Sequence, residues 1–307
     1  MTTVLVTGGS GFIAGHAIRQ LLDQGYDVRT TVRKTGRLTV PEFEADLLGD
    51  AGWADAVRGA DYVLHVASPV RPGPVDDEDD LIVPAVEGTR RVLRAARDAG
   101  VRRVVLTSAF HAVGWGHPHD DHVFTEEDWT VLDGPGTDAY GRSKTLAERA
   151  AWAESEAGGF ELTVMLPVAV MGPFGNRRVS GANHIVQQIL GGSMPGYPNL
   201  WIPIVDVRDV ADAHIRAMTS DDAAGRRLLL SSGPALSLEQ IGAVLRDNLG
   251  AAAAGVPTRV IPDEELPGNP DLGYARKVSS AKARRLLGWE PRPAEEAIVA
   301  AGRSLIE

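Results

Sequence analysis

A tyrosine and a lysine four positions apart, Tyr140 and Lys144, are the residues whose types and spacing best suit chemistry. They fall in a stretch with helical periodicity, so both side chains share one helix face. A tyrosine hydroxyl, with an ordinary pKa of about 10, is a poor acid–base catalyst at neutral pH unless a neighbouring charge lowers that pKa. Lowering that pKa to about 7 requires about 4 kcal/mol. An ammonium about 4 Å away supplies this energy at an effective dielectric constant of about 20. The pair therefore predicts proton transfer at Tyr140, with Lys144 lowering its pKa.

Small residues near the amino terminus have the spacing of a phosphate-binding turn. Gly8, Gly11 and Ala14 follow a short apolar run and open a helical pattern that begins with Phe12 and Ile13. Such glycines permit a tight strand-to-helix turn and let a pyrophosphate approach the backbone at the helix N-terminus. Glycines also serve ordinary turns, but the strand before them and the helix and second strand after them favour a dinucleotide site. We predict cofactor contacts from Gly8, Gly11, Phe12 and Ile13.

The end of the second predicted strand indicates which dinucleotide is bound. An NAD-binding protein carries an Asp or Glu about twenty residues past the glycines, where it holds the ribose 2′-hydroxyl. This sequence instead has Arg33, Lys34 and Arg37, and no acid follows the strand before Glu42. Three cations suit a 2′-phosphate, although they are also compatible with solvated surface charges. The predicted cofactor is NADP(H).

Alternating elements provide the framework for these residues. Apolar runs predict strands at 4–7, 28–32, 62–67, 104–106 and 162–166, and amphipathic patterns predict helices at 12–24, 53–59, 79–100 and 138–158. Strands that alternate with helices indicate βαβ units. We therefore predict an α/β protein with a Rossmann-type, doubly wound parallel sheet, in which ligands bind at the carboxyl ends of the strands.

After Pro167 the alternation loosens. The remaining expected elements are a helix at 184–190, a strand at 227–230, a helix to 249 opened by a capping box at 237–240, a flexible connection at 251–270 and a helix at 281–287. We predict that residues 1–167, with about 201–231, form the NADP-binding domain. Residues 168–200 and 232–307 would form a smaller C-terminal lobe that binds the substrate.

Composition excludes several classes of protein. The 307 residues are 44% hydrophobic and 23% charged, which is typical of a globular chain. No run of about 18 apolar residues occurs, and no secretory signal is visible, so we expect a cytoplasmic protein without membrane partners. The net charge of −10 has the wrong sign for nucleic-acid binding. The absence of cysteine excludes disulfides and thiolate chemistry.

Further motifs occur in a fixed order along the chain. They are the Thr7–Ala14 turn, Asp46-Leu47, the 65–69 segment His-Val-Ala-Ser-Pro, Leu106-Thr107-Ser108, Tyr140 with Lys144, Ala147-Glu148 and the 206–211 segment Asp-Val-Arg-Asp-Val-Ala. With these motifs, nearly the whole chain resembles the extended short-chain dehydrogenase/reductases, in the branch of dihydroflavonol, cinnamoyl-CoA and methylglyoxal (aldehyde) reductases.

The resemblance implies reversible, NADPH-dependent reduction of a small-molecule aldehyde or ketone, with Tyr140 donating the proton. It also implies a monomer or a homodimer. Cofactor contacts implied by the resemblance are Asp46 and Leu47 at the adenine, Ala67 and Ser68 along the cofactor, and Pro167 and Val170 beside the nicotinamide. We also predict cofactor contacts from Tyr140 and Lys144, because the other ammonium protons of Lys144 can hold ribose hydroxyls.

The sequence departs from the family at one catalytic position. The family usually reads Thr-Ser-Ser, with the second serine hydrogen-bonded to the substrate oxygen, whereas this chain reads Thr107-Ser108-Ala109. A small backbone shift would let Ser108 or Thr107 substitute, and His111 is a third candidate. We predict Ser108. The loss of one such donor costs on the order of a hundredfold in rate without abolishing catalysis.

Aromatic residues near the predicted site suggest a substrate pocket. We predict that His111, Trp115, Phe174 and Trp201 line it, although aromatics in such places are at least as often ordinary core. The 116–122 segment contains three histidines and two aspartates, which are suitable metal ligands. Such residues in a loop without a defined frame more often stay solvated, so we predict no metal site.

Two alternative functions remain open from sequence. A nucleotide-sugar epimerase or dehydratase uses the same Tyr–Lys pair but normally retains NAD, which Arg33 and Lys34 argue against. A non-catalytic, NADP-binding regulatory protein is disfavoured by the presence of both Tyr140 and Lys144, while Ala109 favours it.

Overall fold

A computed structural model describes residues 1–69, 76–174 and 179–306 of the chain. Its first half alternates strands and helices, as predicted. These elements are β1 (Thr3–Thr7), α1 (Phe12–Asp23), β2 (Asp27–Val32), β3 (Glu42–Glu44), α2 (Trp53–Val57), β4 (Tyr62–His65), α3 (Asp79–Asp98), β5 (Arg103–Thr107), β6 (Val123–Phe124), α4 (Ala139–Glu156) and β7 (Glu161–Pro167).

The second half contains shorter strands between helices. These elements are β8 (Ala169–Met171), α5 (Asn183–Leu190), β9 (Trp201–Ile202), β10 (Ile204–Asp206), α6 (Val207–Thr219), β11 (Arg227–Leu230), β12 (Leu236–Ser237), α7 (Leu238–Leu249), β13 (Lys277–Val278), α8 (Ala281–Leu287) and α9 (Ala294–Ile306). The sequence patterns identified α5, β11, α7 and α8 but missed α6 and α9.

Seven strands form one sheet in the order β11-β7-β5-β4-β1-β2-β3. Each neighbouring pair in it is parallel. The chain runs outward from β1 in one direction through β2 and β3, and from β4 in the other through β5, β7 and β11. Ligands of such sheets bind outside the carboxyl ends of the strands at this reversal. The prediction of a doubly wound, Rossmann-type parallel sheet is confirmed.

The strands are continuous apolar runs because helices cover both faces of the sheet. Val4, Leu5 and Val6 of β1 are fully buried. Helix α1 packs with α6, and α3 packs with α4. Right-handed crossovers that leave β1 and β4 in opposite directions place the two helix pairs on opposite faces. A strand with both faces covered cannot alternate polar and apolar residues, which explains the run in the sequence.

A second, smaller hydrophobic cluster lies among elements of the second half. Helices α5, α7 and α9 contribute Val186, Ile241 and Ile298, which are all fully buried. Ile204 of β10 also belongs to this cluster, although it falls in the 201–231 segment that we assigned to the cofactor domain. The predicted division into two domains stays a prediction.

Local capping signals are formed as the sequence indicated. The Ser237 hydroxyl accepts the backbone N–H of Gln240, and the Gln240 side chain accepts the backbone N–H of Ser237. The connection at 251–270 is tied to the rest of the chain, because Tyr197 exchanges backbone hydrogen bonds with Arg259 and Ile261.

Within the described ranges, no helix is both long and apolar enough to cross a membrane.

Candidate active site

A cleft of about 1390 Å³ opens at the carboxyl ends of the central strands, where the sheet topology predicts a ligand site. The sequence-predicted residues that line it are Gly8, Gly11, Phe12, Ile13, Arg33, Asp46, Leu47, Ala67, Ser68, Ser108, His111, Trp115, Tyr140, Lys144, Pro167, Val170 and Trp201. Lys34 and Arg37 are exposed on the loop after β2, outside this lining. Phe174 is buried outside the lining, and its backbone N–H donates to the Ser304 hydroxyl.

The glycine turn between β1 and α1 brings backbone close to the cleft. Gly8 has a φ of +71°, and a Cβ there would lie only 3.0 Å from the Cβ of Ala67. The Gly11 N–H donates to the Gly8 carbonyl over 2.8 Å, which closes the turn. The N-cap residue of α1, Gly11, has no side chain that could cap the helix, and the first turn carries no acidic residue. The positive end of the α1 dipole can therefore face an anionic group in the cleft.

Thr7 joins the carboxyl ends of β1 and β4. Its hydroxyl oxygen accepts the backbone N–H groups of Val66 and Ala67, each over 3.0 Å, and lies 2.9 Å from Nδ1 of His65. Burial, with a smaller contribution from the Lys144 charge, lowers the pKa of His65 to about 3. The buried imidazole is therefore neutral. The hydrogen bonds to Thr7 hold the loop that carries Ala67 in place beside the glycine turn.

The adenine end of the predicted cofactor site is closed by a packed loop. Asp46 and Leu47 follow β3, and the Trp53 indole N–H donates to the Asp46 carbonyl over 3.1 Å. A Cβ on Gly88 of α3 would lie 2.9 Å from the Cβ of Leu47, so the glycine permits this close approach. The two residues implied by the family resemblance therefore sit on a supported wall of the cleft.

The loop after β2 presents cations without a competing acid. Arg33 is exposed and lines the cleft, while Lys34 and Arg37 follow on the same loop. Within the part of the chain that is described, none of the three forms an ion pair. The nearby Glu42 carboxylate accepts the three consecutive backbone N–H groups of residues 36–38. The acid thus organises the loop and leaves the cations unneutralised.

Helix α4 places the Tyr–Lys pair in the cleft. Asp138 caps the helix by accepting the backbone N–H of Gly141 over 2.8 Å, and Tyr140 lies in the first turn. The Lys144 ammonium donates to the Ser68 hydroxyl over 3.1 Å and lies 5.7 Å from the centroid of the Tyr140 ring. No residue in the described ranges hydrogen-bonds to the Tyr140 hydroxyl. This hydroxyl is therefore available to a ligand.

The acidities of the pair follow from burial. Burial, with the Asp138 charge, raises the pKa of Tyr140 to about 12, opposite to the direction that we expected. Burial lowers the pKa of Lys144 to about 8, against an opposing effect of Glu148. The difference from the expectation has a geometric cause, because the ammonium contacts Ser68 and lies near the face of the tyrosine ring. Desolvation of the phenolate form then dominates.

Ser108 is held by a buried carboxylate. Its hydroxyl donates to Oε2 of Glu148 over 2.7 Å, and Oε1 of Glu148 accepts Nε–H of Arg227 over 2.6 Å. The Arg227 guanidinium lies 3.7 Å from the centroid of the Trp129 ring. Ser108 lines the cleft, but its proton is directed to Glu148. The catalytic role of Ser108 stays a prediction.

Thr107, at the end of β5, has its hydroxyl proton committed in a similar way. Nδ1 of His214 lies 2.7 Å from the carbonyl oxygen of Val210, so it carries a proton. Burial lowers the pKa of His214 to about 4, which leaves the ring neutral and its Nε2 free to accept. The Thr107 hydroxyl lies 2.7 Å from that Nε2 and must donate to it.

A wall of stacked side chains bounds the cleft next to Tyr140. The rings of His111 and Trp115 are nearly parallel, with centroids 3.8 Å apart, and His111 meets Tyr140 edge-on at 4.9 Å. The Arg276 guanidinium lies 4.6 Å from the centroid of Trp115 and 5.2 Å from that of Tyr274. Arg276 also donates to Asp271 over 2.9 Å. The wall is therefore aromatic, and its cation is paired.

Sequence reasoning missed Arg276 and Tyr274. They reach the cleft because β13 pairs with β6 over 150 residues away in the chain, and because Nε of Arg276 donates to the Gly114 carbonyl over 3.0 Å. In the sequence, the only indication is an arginine two positions after a tyrosine, in a segment for which we predicted no element. This pattern does not predict that the segment packs against the cleft.

The histidines of the 116–122 segment have separate protein contacts. Nε2 of His117 lies 3.0 Å from the Trp129 carbonyl, His119 stacks on Tyr274 with ring centroids 3.9 Å apart, and His122 lies 3.0 Å from Asp128. Among the described residues, no group of three His, Cys, Asp or Glu side chains is arranged to hold a metal ion.

The fold and the site together define the class of protein. A seven-stranded doubly wound sheet, a glycine turn at its reversal point and a Tyr–Lys pair in one cleft are features of a dinucleotide-dependent dehydrogenase/reductase fold. The NAD dependent epimerase/dehydratase family matches residues 4–230. The chain belongs to this family, whose members are extended short-chain dehydrogenase/reductases.

Individual relatives lie in the reductase branch that the motifs indicated. Cinnamoyl-CoA reductase 1 of Petunia hybrida is 38% identical over 245 residues, which cover 75% of this chain and 72% of that protein. Dihydroflavonol 4-reductase of Zea mays is 34% identical over 268 residues, covering 80% and 74%. Yeast methylglyoxal/isovaleraldehyde reductase Gre2, solved in complex with NADPH, superposes with a TM-score of 0.84 at 26% identity, covering 99% of this chain and 98% of Gre2. The resemblance inferred from the motifs is confirmed.

The buried Arg227–Glu148 pair gives a stability prediction. We expect Arg227→Ala to lower the free energy of unfolding by about 3–5 kcal/mol, because it leaves the Glu148 carboxylate buried without its cation. Urea denaturation followed by circular dichroism measures this change. Arg58→Ala is the matched control, because the Arg58–Asp55 pair is exposed and its loss should change stability little. If the two variants lowered the free energy of unfolding equally, the predicted contribution of the buried Arg227–Glu148 pair to stability would be contradicted.

Proposed function

We propose that this protein is an NADPH-dependent carbonyl reductase that reversibly converts an aldehyde or ketone to an alcohol. The observation that carries the proposal is the Tyr140 hydroxyl, which has no hydrogen-bond partner among the described residues and faces the same cleft as the glycine turn and Arg33. A proton donor beside a dinucleotide site is what reduction of a carbonyl requires, because hydride addition leaves a negative charge on oxygen.

The residues around the cleft fit NADPH. The N-terminus of α1 and the glycine turn suit a pyrophosphate, and Arg33 suits a 2′-phosphate. Lys34 and Arg37 on the same loop add positive charge near that position. Yeast Gre2, which superposes over nearly the whole chain, is solved with NADPH. When bound, NADPH supplies the hydride.

Tyr140 is suited to the role of proton donor. A pKa of about 12 keeps its hydroxyl protonated at neutral pH. The alkoxide that develops on the substrate is a stronger base than a phenolate, so the proton moves from Tyr140 to the substrate oxygen. The Lys144 ammonium, 5.7 Å from the ring centroid, stabilises the phenolate that remains. Donation by Tyr140 therefore does not require a lowered pKa in the ligand-free protein.

The substrate side of the cleft favours apolar carbonyl compounds. Trp115, Leu200, Trp201 and Ile202 line this side, and the Arg276 charge is paired with Asp271. An apolar lining with few polar groups binds substrates through burial of apolar surface. We propose aldehydes and ketones with aliphatic or aromatic substituents as the substrate class.

The proposal is tested by following NADPH oxidation against aliphatic and aromatic aldehydes, ketones and diketones. We expect turnover with NADPH in preference to NADH, and a loss of at least about 100-fold in kcat for Tyr140→Phe, which keeps the ring but removes the proton. NADPH binding without turnover would favour the regulatory alternative. Tightly retained NAD in the purified protein would favour the epimerase or dehydratase alternative.

The cofactor preference is tested at Arg33. We expect Arg33→Ala to weaken NADPH binding about tenfold or more while NADH binding changes little, because only NADPH carries the 2′-phosphate that a charge-assisted hydrogen bond would hold. Fluorescence titration of both cofactors measures the two Kd values. Arg303→Ala, which removes an exposed arginine on α9, is the control. An equal loss for NADPH and NADH would contradict the role of Arg33.

The pKa of Lys144 predicts how NADPH binding depends on pH. In the free protein this pKa is about 8, and contact with the cofactor's ribose and phosphates favours the charged form. The affinity for NADPH should therefore be highest and constant below about pH 8. It should fall as the pH rises through 8, by at most about tenfold per pH unit. Titrations from pH 7 to 9.5 measure this slope. Lys144→Met should bind more weakly with no inflection, and an inflection that persists in this variant would contradict the assignment.

A further inference from the structure

Reduction of a carbonyl needs more than one group at the substrate oxygen. Hydrogen-bond donors aimed at the position where negative charge develops supply a large part of the rate enhancement in such reactions. Tyr140 provides one donor in the proposed function, on which this inference rests. Position 109, where the family resemblance expects a serine, is Ala109, whose methyl group lines the cleft and offers no proton.

The two neighbouring hydroxyls do not replace it. Ser108 donates to Glu148, a carboxylate that only accepts and that is 1% exposed. Withdrawing that hydroxyl would remove one of the buried carboxylate's hydrogen bonds. Thr107 donates to Nε2 of His214, whose other nitrogen is fixed as a donor by the Val210 carbonyl. Both protons are therefore already used inside the protein.

His111, two positions after Ala109, is the third candidate that the sequence offered for this role. Its ring lies 4.9 Å from the Tyr140 ring, edge-on, and both residues line the same cavity. Within the described ranges, no group hydrogen-bonds to its imidazole nitrogens. An N–H group that faces a cavity beside the proton donor, with no partner among the described residues, is positioned to bind a ligand oxygen.

The orientation and charge of His111 also suit a hydrogen-bond donor. Trp115 stacks on the imidazole at 3.8 Å, and Arg276 packs on Trp115, which fixes the plane of the ring. Burial lowers the pKa of His111 to about 4; the Asp138 charge opposes this shift, while the Lys144 and Arg276 charges reinforce it. The ring is therefore neutral at physiological pH, with one N–H to donate and no competition with Tyr140 as the acid.

We propose that the imidazole of His111 donates the second hydrogen bond to the substrate's carbonyl oxygen, in place of a hydroxyl at position 109. Tyr140 transfers its proton to that oxygen, and His111 keeps its own. The N–H bond to the oxygen strengthens as hydride addition makes the oxygen negative. Stabilisation then appears mainly in kcat.

The test compares His111→Phe, which keeps an aromatic ring against Trp115 but removes the N–H, with Ser108→Ala in the protein with bound NADPH. We expect His111→Phe to lower kcat on the order of 100-fold, with the Kd for NADPH unchanged. Ser108→Ala should lower kcat at least about tenfold less than His111→Phe does, because Glu148 keeps its hydrogen bonds from Arg227 and Trp152. His111→Asn, which retains an N–H donor on a smaller side chain, guards against misfolding of the first variant and should keep more activity than His111→Phe.

Restoring the missing hydroxyl gives an independent readout. We expect Ala109→Ser to raise kcat at least about tenfold in the His111→Phe background and to have little effect in the otherwise unchanged protein. The pH profile of His111→Phe should keep the shape of the original profile at a lower plateau, because His111 does not titrate between pH 6 and 9.

Three results would overturn the inference: kcat of His111→Phe within threefold of the original protein, an equal loss in Ser108→Ala, or no rescue by Ala109→Ser. If the unchanged protein turns over a carbonyl in a Tyr140-dependent way and His111→Phe is unaffected, only this inference fails. If the unchanged protein reduces no carbonyl, the proposed function fails with it.

Discussion

The buried carboxylate of Glu148 is the interaction on which the geometry of the site depends. Three donors converge on it: the Ser108 hydroxyl from the end of β5, the Arg227 guanidinium from β11 and the Trp152 indole from α4 itself. A buried charge is tolerated only when its partners are complete, so the carboxylate fixes the distance between the sheet and the helix that carries Tyr140 and Lys144. The same bond directs the Ser108 hydroxyl proton to Glu148, although Ser108 lines the cleft.

Burial also determines which groups in the site carry charge. The pKa values of His65, His111 and His214 are lowered to about 3, 4 and 4, so all three rings are neutral near pH 7. The pKa of Tyr140 is raised, which keeps its proton in place. Lys144 retains its positive charge below about pH 8. The centre of the cleft therefore combines the Lys144 cation with neutral donors, an arrangement suited to a negative charge that appears on a substrate oxygen.

The cofactor side and the substrate side of the cleft have different origins in the chain. The cofactor side is built by consecutive turns after β1, β2, β3 and β4, each within a short segment of sequence. The substrate side combines the His111–Trp115 stack with Arg276 and Tyr274, which come from a segment joined to the body by β13 and β6. The first side suits a ligand common to the fold, and the second is free to set which carbonyl compound binds.

The sequence by itself determined the features that depend on local spacing. Neighbouring residues and their periodicity specify the glycine turn, the cations after β2, the Tyr140–Lys144 spacing and the strand pattern, so these features could be predicted from sequence. The sequence showed that Ala109 lacks the hydroxyl expected at that position, and it indicated Ser108, Thr107 and His111 as possible replacements. It could not show which of these three side chains already has a hydrogen-bond partner inside the protein. Only the tertiary structure decided that two hydroxyl protons are already used, that the His111 imidazole is neutral and has no hydrogen-bond partner among the described residues, and that Arg276 packs on Trp115. Those properties arise from partners as far as 162 residues apart in the sequence and from burial, and the local sequence pattern encodes neither of them.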